Sequence, residues 1–241
     1  MFFQSSIIGI ILDDFGSLIL KGLGITLLLS VVGTLIGLVI ALFFGSILSL
    51  KKNDFDSKTK RTIKNIAKGI INVYVTVFRG TPMLVQATIF YFSFYKMGIQ
   101  WSATFAGLFT VTLNTAAYLT EVVRSGINSV SQDQTEAGLA IGLSPFKTFL
   151  YIILPQALKN SMASIGNELI VNIKDTSVLS VIGIVDLYNA CDMAGSEYSV
   201  VLEIMLIAAA IYLVLTSFFA IVLRYFEKLL GAPTKAITSS N

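Results

Sequence analysis

The residues able to do chemistry in this chain are concentrated within a stretch apolar enough to cross a bilayer. Between Ala157 and Ile184, Ser161, Ser164, Glu168, Asn172, Asp175 and Thr176 recur at i, i+3, i+4 spacing and form one polar stripe on a helix. Ionisable groups are costly inside a membrane, so such a stripe turns from lipid toward a neighbouring helix or a water-filled path. Both readings are open here: hydrogen-bonded structure, or the lining of a translocation cavity. A buried carboxylate with no evident local cation, as at Glu168, is suited to receive a ligand's ammonium or guanidinium group. Lys174 lies roughly 120° around the helix and is no simple partner for it. Asn114, near the middle of the preceding apolar segment, joins the candidates, whereas Glu121 with Arg124 at i+3 reads as a structural ion pair. Arg79 either snorkels to the headgroups or takes part in gating or in holding the later polar loop. All of this is binding chemistry. With no histidine, a single cysteine (Cys191, read as incidental) and no G-x-x-x-x-G-K-[ST] loop, the chain lacks the material for zinc sites, disulfides, imidazole acid/base steps or its own nucleotide hydrolysis.

Helices must position these groups, and composition says in what solvent. The 241 residues are 55% hydrophobic and 13% charged, against about 25% charged in ordinary soluble domains, and the mean hydropathy is +0.80. The expectation is an all-α integral membrane protein, one transmembrane domain over residues 1–241. The N-terminus, MFFQSSIIGIILDDFG, has no basic n-region or small-residue cleavage site and is not read as a cleaved signal. About 20 apolar residues span a bilayer. Candidate spans are Leu18 to Leu50, Pro82 to Met97, Ser102 to Val123, Ala157 to Ile184 and Val200 to Leu223; the second is short and begins earlier, in the apolar run Ile66 to Phe78. Basic residues gather at Lys51, Lys52, Lys58, Lys60 and Arg61, at Arg124, Lys147 and Lys159, and at Arg224, Lys228 and Lys235. Acidic Asp13 and Asp14, and later Asp186, Asp192 and Glu197, mark the other side. Five spans, N-out and C-in, satisfy the positive-inside rule in every loop. Gly33-x-x-x-Gly37 fits close helix packing. Asp54 and Asp56 interleave the basic loop, and with a net charge of only +3 nucleic-acid binding is disfavoured.

The segment Ser131 to Gln156, SQDQTEAGLAIGLSPFKTFLYIILPQ, is then cytosolic. Ser131 and Gln134 have capping-box spacing, with Asp133 and Glu136 favourable at a helix N-terminus. Ala137, Gly138, Ala140 and Gly142 are small enough to let another surface approach. Gly142 suits a helix end and Ser144-Pro145 a restart. Phe146, Phe149, Leu150, Ile153 and Leu154 make one apolar face, and Pro155 marks a boundary. By spacing alone this is either an amphipathic turn lying on the membrane surface or a docking helix.

Glu136-Ala137-Gly138, then Gly142, then Ile152-x-Leu154-Pro155 resembles the EAA signature of ATP-binding-cassette importer permeases, with glycine at the third position instead of alanine. YVTVFRGTPMLVQ (Tyr74 to Gln86), AAYLTEVVRSGI (Ala116 to Ile127) and NELIVNIKDTSVLSVIGIVDL (Asn167 to Leu187) resemble the polar amino acid permeases of that group, from about Gly24 to Leu230. The resemblance implies a type I importer permease fold in a bacterial cytoplasmic membrane. It implies a coupling helix at Glu136 to Leu143 seated in a separate ATPase subunit, with Glu136, Ala137, Gly138, Gly142, Leu143 and Pro155 as coupling residues. ATP and magnesium would be bound by that subunit, so this chain needs no cofactor of its own. The implied partners are the ATPase, a second copy or a related permease, an external solute-binding protein and lipid. Glu168, Asn172, Asp175, Thr176 and Asn114 are then the candidate substrate residues, with a lean toward a basic amino acid such as arginine. An ion-gradient-driven carrier is the alternative; carriers of that kind usually show inverted repeats and more spans.

Overall fold

The computed structural model describes residues 5–50 and 57–231. Lys51, Lys52, Asp54, Asp56 and Lys235, named above for charge, lie outside the described residues. The chain is a helical bundle: α1 (Ser5–Ser49), α2 (Lys58–Gly80), α3 (Met83–Lys96), α4 (Ala103–Asn128), α5 (Gln132–Ala140), α6 (Pro145–Thr148), α7 (Leu154–Asp175), α8 (Leu187–Glu197) and α9 (Val201–Leu229). A π-helical turn, Phe149–Ile153, joins α6 to α7, and a 3-10 segment, Thr176–Ile182, follows α7. Two stretches, Asp13–Ser49 and Val201–Leu229, are each long and apolar enough to cross a membrane by themselves.

The bundle is built on close approach of backbones rather than on large side chains, because lipid removes most of the hydrophobic drive between helices and leaves packing to hold them. Glycines along one face of α1 make this possible. A Cβ at Gly33 would lie 2.6 Å from Val111 Cγ1, one at Gly37 3.2 Å from the Thr112 carbonyl, and one at Gly45 2.7 Å from Val123 Cγ1, all on α4. The Gly33/Gly37 pair therefore does what its spacing suggested. Gly126 does the same between α4 and α7, where any Cβ would collide with Ser161. Across this seam Asn172 of α7 donates 2.8 Å hydrogen bonds to Thr34 of α1 and Thr115 of α4, and all three residues are buried.

Several sequence boundaries move. The first helix begins at Ser5, not Leu18, because Asp13 and Asp14 stand exposed and do not interrupt it; Asp14 accepts a hydrogen bond from Tyr198. The second candidate span is a pair of helices broken at Thr81-Pro82, since proline pushes Thr81 to extended dihedrals (φ −125°, ψ 144°). The fourth ends as an α-helix at Asp175 and tightens into the 3-10 segment, which Gly183 closes at φ +85°. The acidic stretch after it, read as an outward loop, is largely helix α8. Asp186 caps it, accepting from the Asn189 amide at 3.0 Å, and Leu187, Ala190, Cys191 and Ala194 bury their face against α1 and α9.

The elements share two ends. At one, the start of α1 meets α8 and the start of α9 around Ile11, Ile19, Leu187 and Ile204. At the other, the end of α1, the start of α2, the end of α4 and the α5–α6 corner line a crevice of about 500 Å³ that includes Ser49, Lys64, Asn128, Leu139 and Phe149. The end of α9 reaches the same side, with Gly231 close to the Lys159 ammonium.

Gly33→Ala should destabilise the chain by about 1–3 kcal/mol through overpacking against Val111. Thermal unfolding in detergent checks this. The Gly33→Ala/Val111→Ala pair should recover part of the loss, giving a clear departure from additivity.

Candidate functional site

Two sites emerge, a protruding corner and a charged cavity. At the corner, Ser131 caps α5, but its hydroxyl oxygen accepts from the Asp133 amide (3.3 Å) and donates to the Asp133 carboxylate (3.0 Å). The capping box is not closed: Gln134 turns away from Ser131 and accepts from Gln156 at 3.4 Å. The C-terminus of α5 is a full Schellman turn. Leu143 N–H donates to the Gly138 carbonyl (3.1 Å), Gly142 N–H to the Leu139 carbonyl (3.0 Å), and Gly142 has φ +84°. A non-glycine residue there pays about 1 kcal/mol or more for the left-handed conformation. Ser144 then caps α6, accepting from the Lys147 amide at 3.3 Å, with Pro145 at the first turn.

The small residues of α5 do not all face outward. Glu136, Ala137 and Ala140 are exposed, but Gly138 is buried against this chain's own α6, where a Cβ would stand 2.5 Å from Thr148 Cγ2 and 3.0 Å from Ile152 Cδ1. Its smallness serves the internal joint, not an incoming surface. The apolar face expected along Phe146 to Leu154 also splits, because the π-helical turn inserts a residue and rotates the register. Ile153 is buried and Phe149 partly so, whereas Phe146 is 71% exposed. Pro155 marks the boundary expected of it: it sits in the first turn of α7, where the preceding wide turn absorbs its missing N–H, and the helical path continues through it. Ile141, which spacing did not single out, is 75% exposed and, like Phe146, leaves apolar surface on the corner.

The second site is a cavity of about 840 Å³ between α2, α4 and α7, lined by Arg79, Tyr118, Glu121, Arg124, Ser164, Asn167 and Glu168 among others. The polar stripe of α7 divides around it. Ser164 and Glu168 line the cavity, and Ser161 touches it while donating to the Val122 carbonyl at 3.3 Å. Asn172 and Thr176 are buried outside it. The first is bonded to Thr34 and Thr115, and the second donates to the Ile173 carbonyl at 3.2 Å. Asn114 is also outside the lining, donating to Gln86 at 3.0 Å, and Asp175 is exposed further along α7. These four candidates have their places explained by internal hydrogen bonding or by exposure, not by the cavity.

Glu168 shares its cavity with a cation from another helix, though no ion pair between them is seen among the described residues. Arg79, brought in from α2, lines the same cavity with its guanidinium 5.3 Å over the Tyr118 ring. Arg79 is exposed as well, so the ring contact fits both snorkelling and a role in gating. Glu121 and Arg124 form the pair their spacing suggested, both Arg124 Nε (2.9 Å) and Nη2 (2.6 Å) donating to one carboxylate oxygen. Arg79 was visible in sequence as an ionisable residue beside a helix break; that it lines one cavity with Glu168 was not, since this joins distant elements.

A charged cavity among the helices of an apolar bundle suits a membrane transport component. The chain belongs to the family of binding-protein-dependent transport system inner membrane components, which matches residues 33–231. Members are the membrane parts of ATP-binding-cassette importers and are not catalytic; the ATPase activity resides on a separate subunit. Among relatives, the putative glutamine transport system permease protein GlnP of Rickettsia felis is 36% identical over 87% of this chain and 91% of its own length. The arginine transport system permease protein ArtQ of Bacillus subtilis is 39% identical over 82% and 85%. A crystal structure of an amino acid ABC transporter with histidines superposes with a TM-score of 0.76 at 34% identity, covering 90% of this chain and 96% of that one. The inward-facing MetNI methionine ABC transporter, at 17% identity and a TM-score of 0.72 over 90% and 98%, shares the fold.

The Thr148 hydroxyl lies buried beneath Gly138 with no hydrogen-bond partner. Thr148→Val keeps the shape and removes the orphan group, so it should strengthen the joint by about 1 kcal/mol, while Gly138→Ala should weaken it. Hydrogen exchange of the α5 amides reads both: slower in the first variant, faster in the second.

Proposed function

We propose that this chain is the permease subunit of an ATP-driven importer of polar amino acids. In this reading it is a single transmembrane domain of five spans, α1, the broken pair α2/α3, α4, α7 and α9, with its N-terminus outside and C-terminus in the cytosol. It works with a second copy or a related permease, an ATPase subunit on each, and an external solute-binding protein, in a bacterial cytoplasmic membrane. The two-ended arrangement supports this orientation, because the end that carries the α5–α6 corner also carries Lys64 and Lys147.

The observation that carries the proposal is the corner itself. α5 is exposed along Glu136 and Ala137, stopped by the Schellman turn at Gly142, and tipped by the unpartnered side chains of Ile141 and Phe146. Leu143 and the Gly138–Thr148 joint tie it to α6, and the π-helical turn runs from there into α7 through Pro155. Force on α5 is thereby delivered to the helix that carries Glu168. The coupling set is thus divided: Glu136, Ala137, Ile141 and Phe146 meet the ATPase, while Gly138, Gly142, Leu143 and Pro155 shape and transmit.

In the cavity, Glu168 is offered to the substrate's ammonium and Arg79 to its carboxylate. Both groups of the zwitterionic backbone then have a counterpart in the one cavity, and the lean toward a basic amino acid such as arginine rests on Glu168. Asn172, Thr176, Asp175 and Asn114 are assigned supporting rather than ligand-binding roles.

The test is uptake into proteoliposomes holding the complete complex. Glu168→Gln should lower amino acid uptake about tenfold or more with assembly intact, the order expected when a charge-assisted hydrogen bond becomes neutral. Unchanged uptake of every amino acid would refute the cavity assignment. Gly142→Leu and Glu136→Leu should abolish substrate-stimulated ATP hydrolysis or release the ATPase on gel filtration; normal coupling in both would sink the lever. Uptake that proceeds without ATP would instead point to a gradient-driven carrier.

A further inference from the structure

We infer that Gln86 is a positioning residue that fixes the elbow between α2 and α3 and through it places Arg79 in the charged cavity. The inference rests on the permease reading above for what Arg79 does, and on geometry alone for how it is held.

A helix broken inside a bilayer leaves carbonyls without N–H partners, and no water is at hand to take them. At the Thr81-Pro82 break they are taken by one side chain. Gln86 Nε2 lies 2.9 Å from the Phe78 carbonyl, 2.9 Å from the Thr81 carbonyl and 2.9 Å from Thr81 Oγ1, so its two hydrogens serve three acceptors. The Thr81 hydroxyl sends its own proton to the Val77 carbonyl at 2.8 Å, which leaves its oxygen free to accept. The amide orientation is not a choice, since a flip would set Gln86 Oε1 against two carbonyls. In the orientation found, Oε1 accepts from Asn114 Nδ2 on α4 at 3.0 Å, and Asn114 also reaches the Phe78 carbonyl at 3.4 Å. Gln86 is 6% exposed, so little solvent competes for these bonds.

The consequence lies one residue on. Phe78 precedes Arg79, and Asn114 precedes Tyr118 by one helical turn on α4. The Gln86–Asn114 bond and the stacking of Arg79 on Tyr118 are therefore neighbouring tethers between the same elbow and the same face of α4. Releasing the first lets the last turn of α2 rotate, and the guanidinium then leaves the cavity it shares with Glu168. Gln86 touches no cavity-lining group itself; it acts through Arg79.

The experiment uses the complete complex in proteoliposomes, with Gln86→Met as the main variant and Asn114→Leu as the second. Gln86→Met should raise the KM for uptake about fivefold, as expected when one or two net hydrogen bonds no longer hold the guanidinium, with a much smaller change in the maximal rate. In an Arg79→Lys background the same change should add less than twofold, because the group it positions has already been altered. Asn114→Leu should follow the same pattern more weakly. Lower thermal stability with an unchanged KM, or effects that multiply with Arg79→Lys, would overturn the inference. If the unsubstituted complex imports no amino acid, the permease reading fails separately. Hydrogen exchange then decides the elbow: amides around the Thr81 break should exchange about tenfold faster in Gln86→Met while those of α9 stay unchanged, and equal exchange would overturn it.

Discussion

The structure depends on how closely α1 can approach α4. Inside a bilayer, two helices gain little by hiding leucines from lipid that is itself apolar, so what holds them is contact at short range. Gly33, Gly37 and Gly45 present bare backbone to Val111, Thr112 and Val123, and Gly126 does the same toward Ser161. Once the backbones are that near, short polar side chains bridge the gap. Asn172 can reach Thr34 and Thr115 together because α1, α4 and α7 converge there. The same three buried groups without partners would cost several kcal/mol in hydrocarbon. Satisfied, they fix the register of three helices at one point.

That fixed point gives the irregular segments their meaning. The chain leaves ideal α-geometry at the Thr81-Pro82 break, at the π-helical turn before Pro155 and at the 3-10 segment closed by Gly183. Each departure flanks a helix tied to the seam, so each is a place where direction changes while the seam stays put. Backbone groups freed at these places are satisfied locally: by Gln86 at the first, and by Asn189, which donates to the Ile184 carbonyl at 2.8 Å, beyond the third. Breaks of this kind are tolerated in a membrane only where protein or a water-filled cavity surrounds them.

The sequence made the local chemistry of the corner legible because caps and turns are written in adjacent residues. Ser131, Gly142 and Ser144-Pro145 each do what their types suggest, and the close-packing reading of Gly33 and Gly37 also holds. What failed were statements that needed a partner from elsewhere. Gly138 looked outward-facing until Thr148 was brought against it. The α7 stripe looked uniform because residues three and four apart share a face, yet Glu168 and Asn172 differ by about 40° around the axis. That angle is enough to point one at the cavity and the other into the seam. α8 was missed because eleven residues with acidic flanks resemble neither a span nor a long amphipathic helix. Its apolar face becomes evident only when α1 supplies the surface it covers.

The cavity and the corner are distant in function but joined by one continuous helical path. From Pro145 through the π-helical turn to Asp175 no loop intervenes, and the Gly138–Thr148 joint seats α5 directly on its start. A rigid path transmits displacement only if something else yields or stays fixed in contrast. Asn172 anchors α7 beyond Glu168, whereas Arg79 is carried by a separate helix tethered to α4. Asn172 on Thr115 and Ser161 on the Val122 carbonyl hold α7 to α4 on both sides of Glu168, so the seam fixes Glu168 while Arg79 reaches the same cavity from α2. Glu168 and Arg79 thus come to one cavity from different helices, the first set by the seam and the second by the elbow and the Tyr118 ring, so the cavity's charges depend on tertiary packing rather than on any one helix.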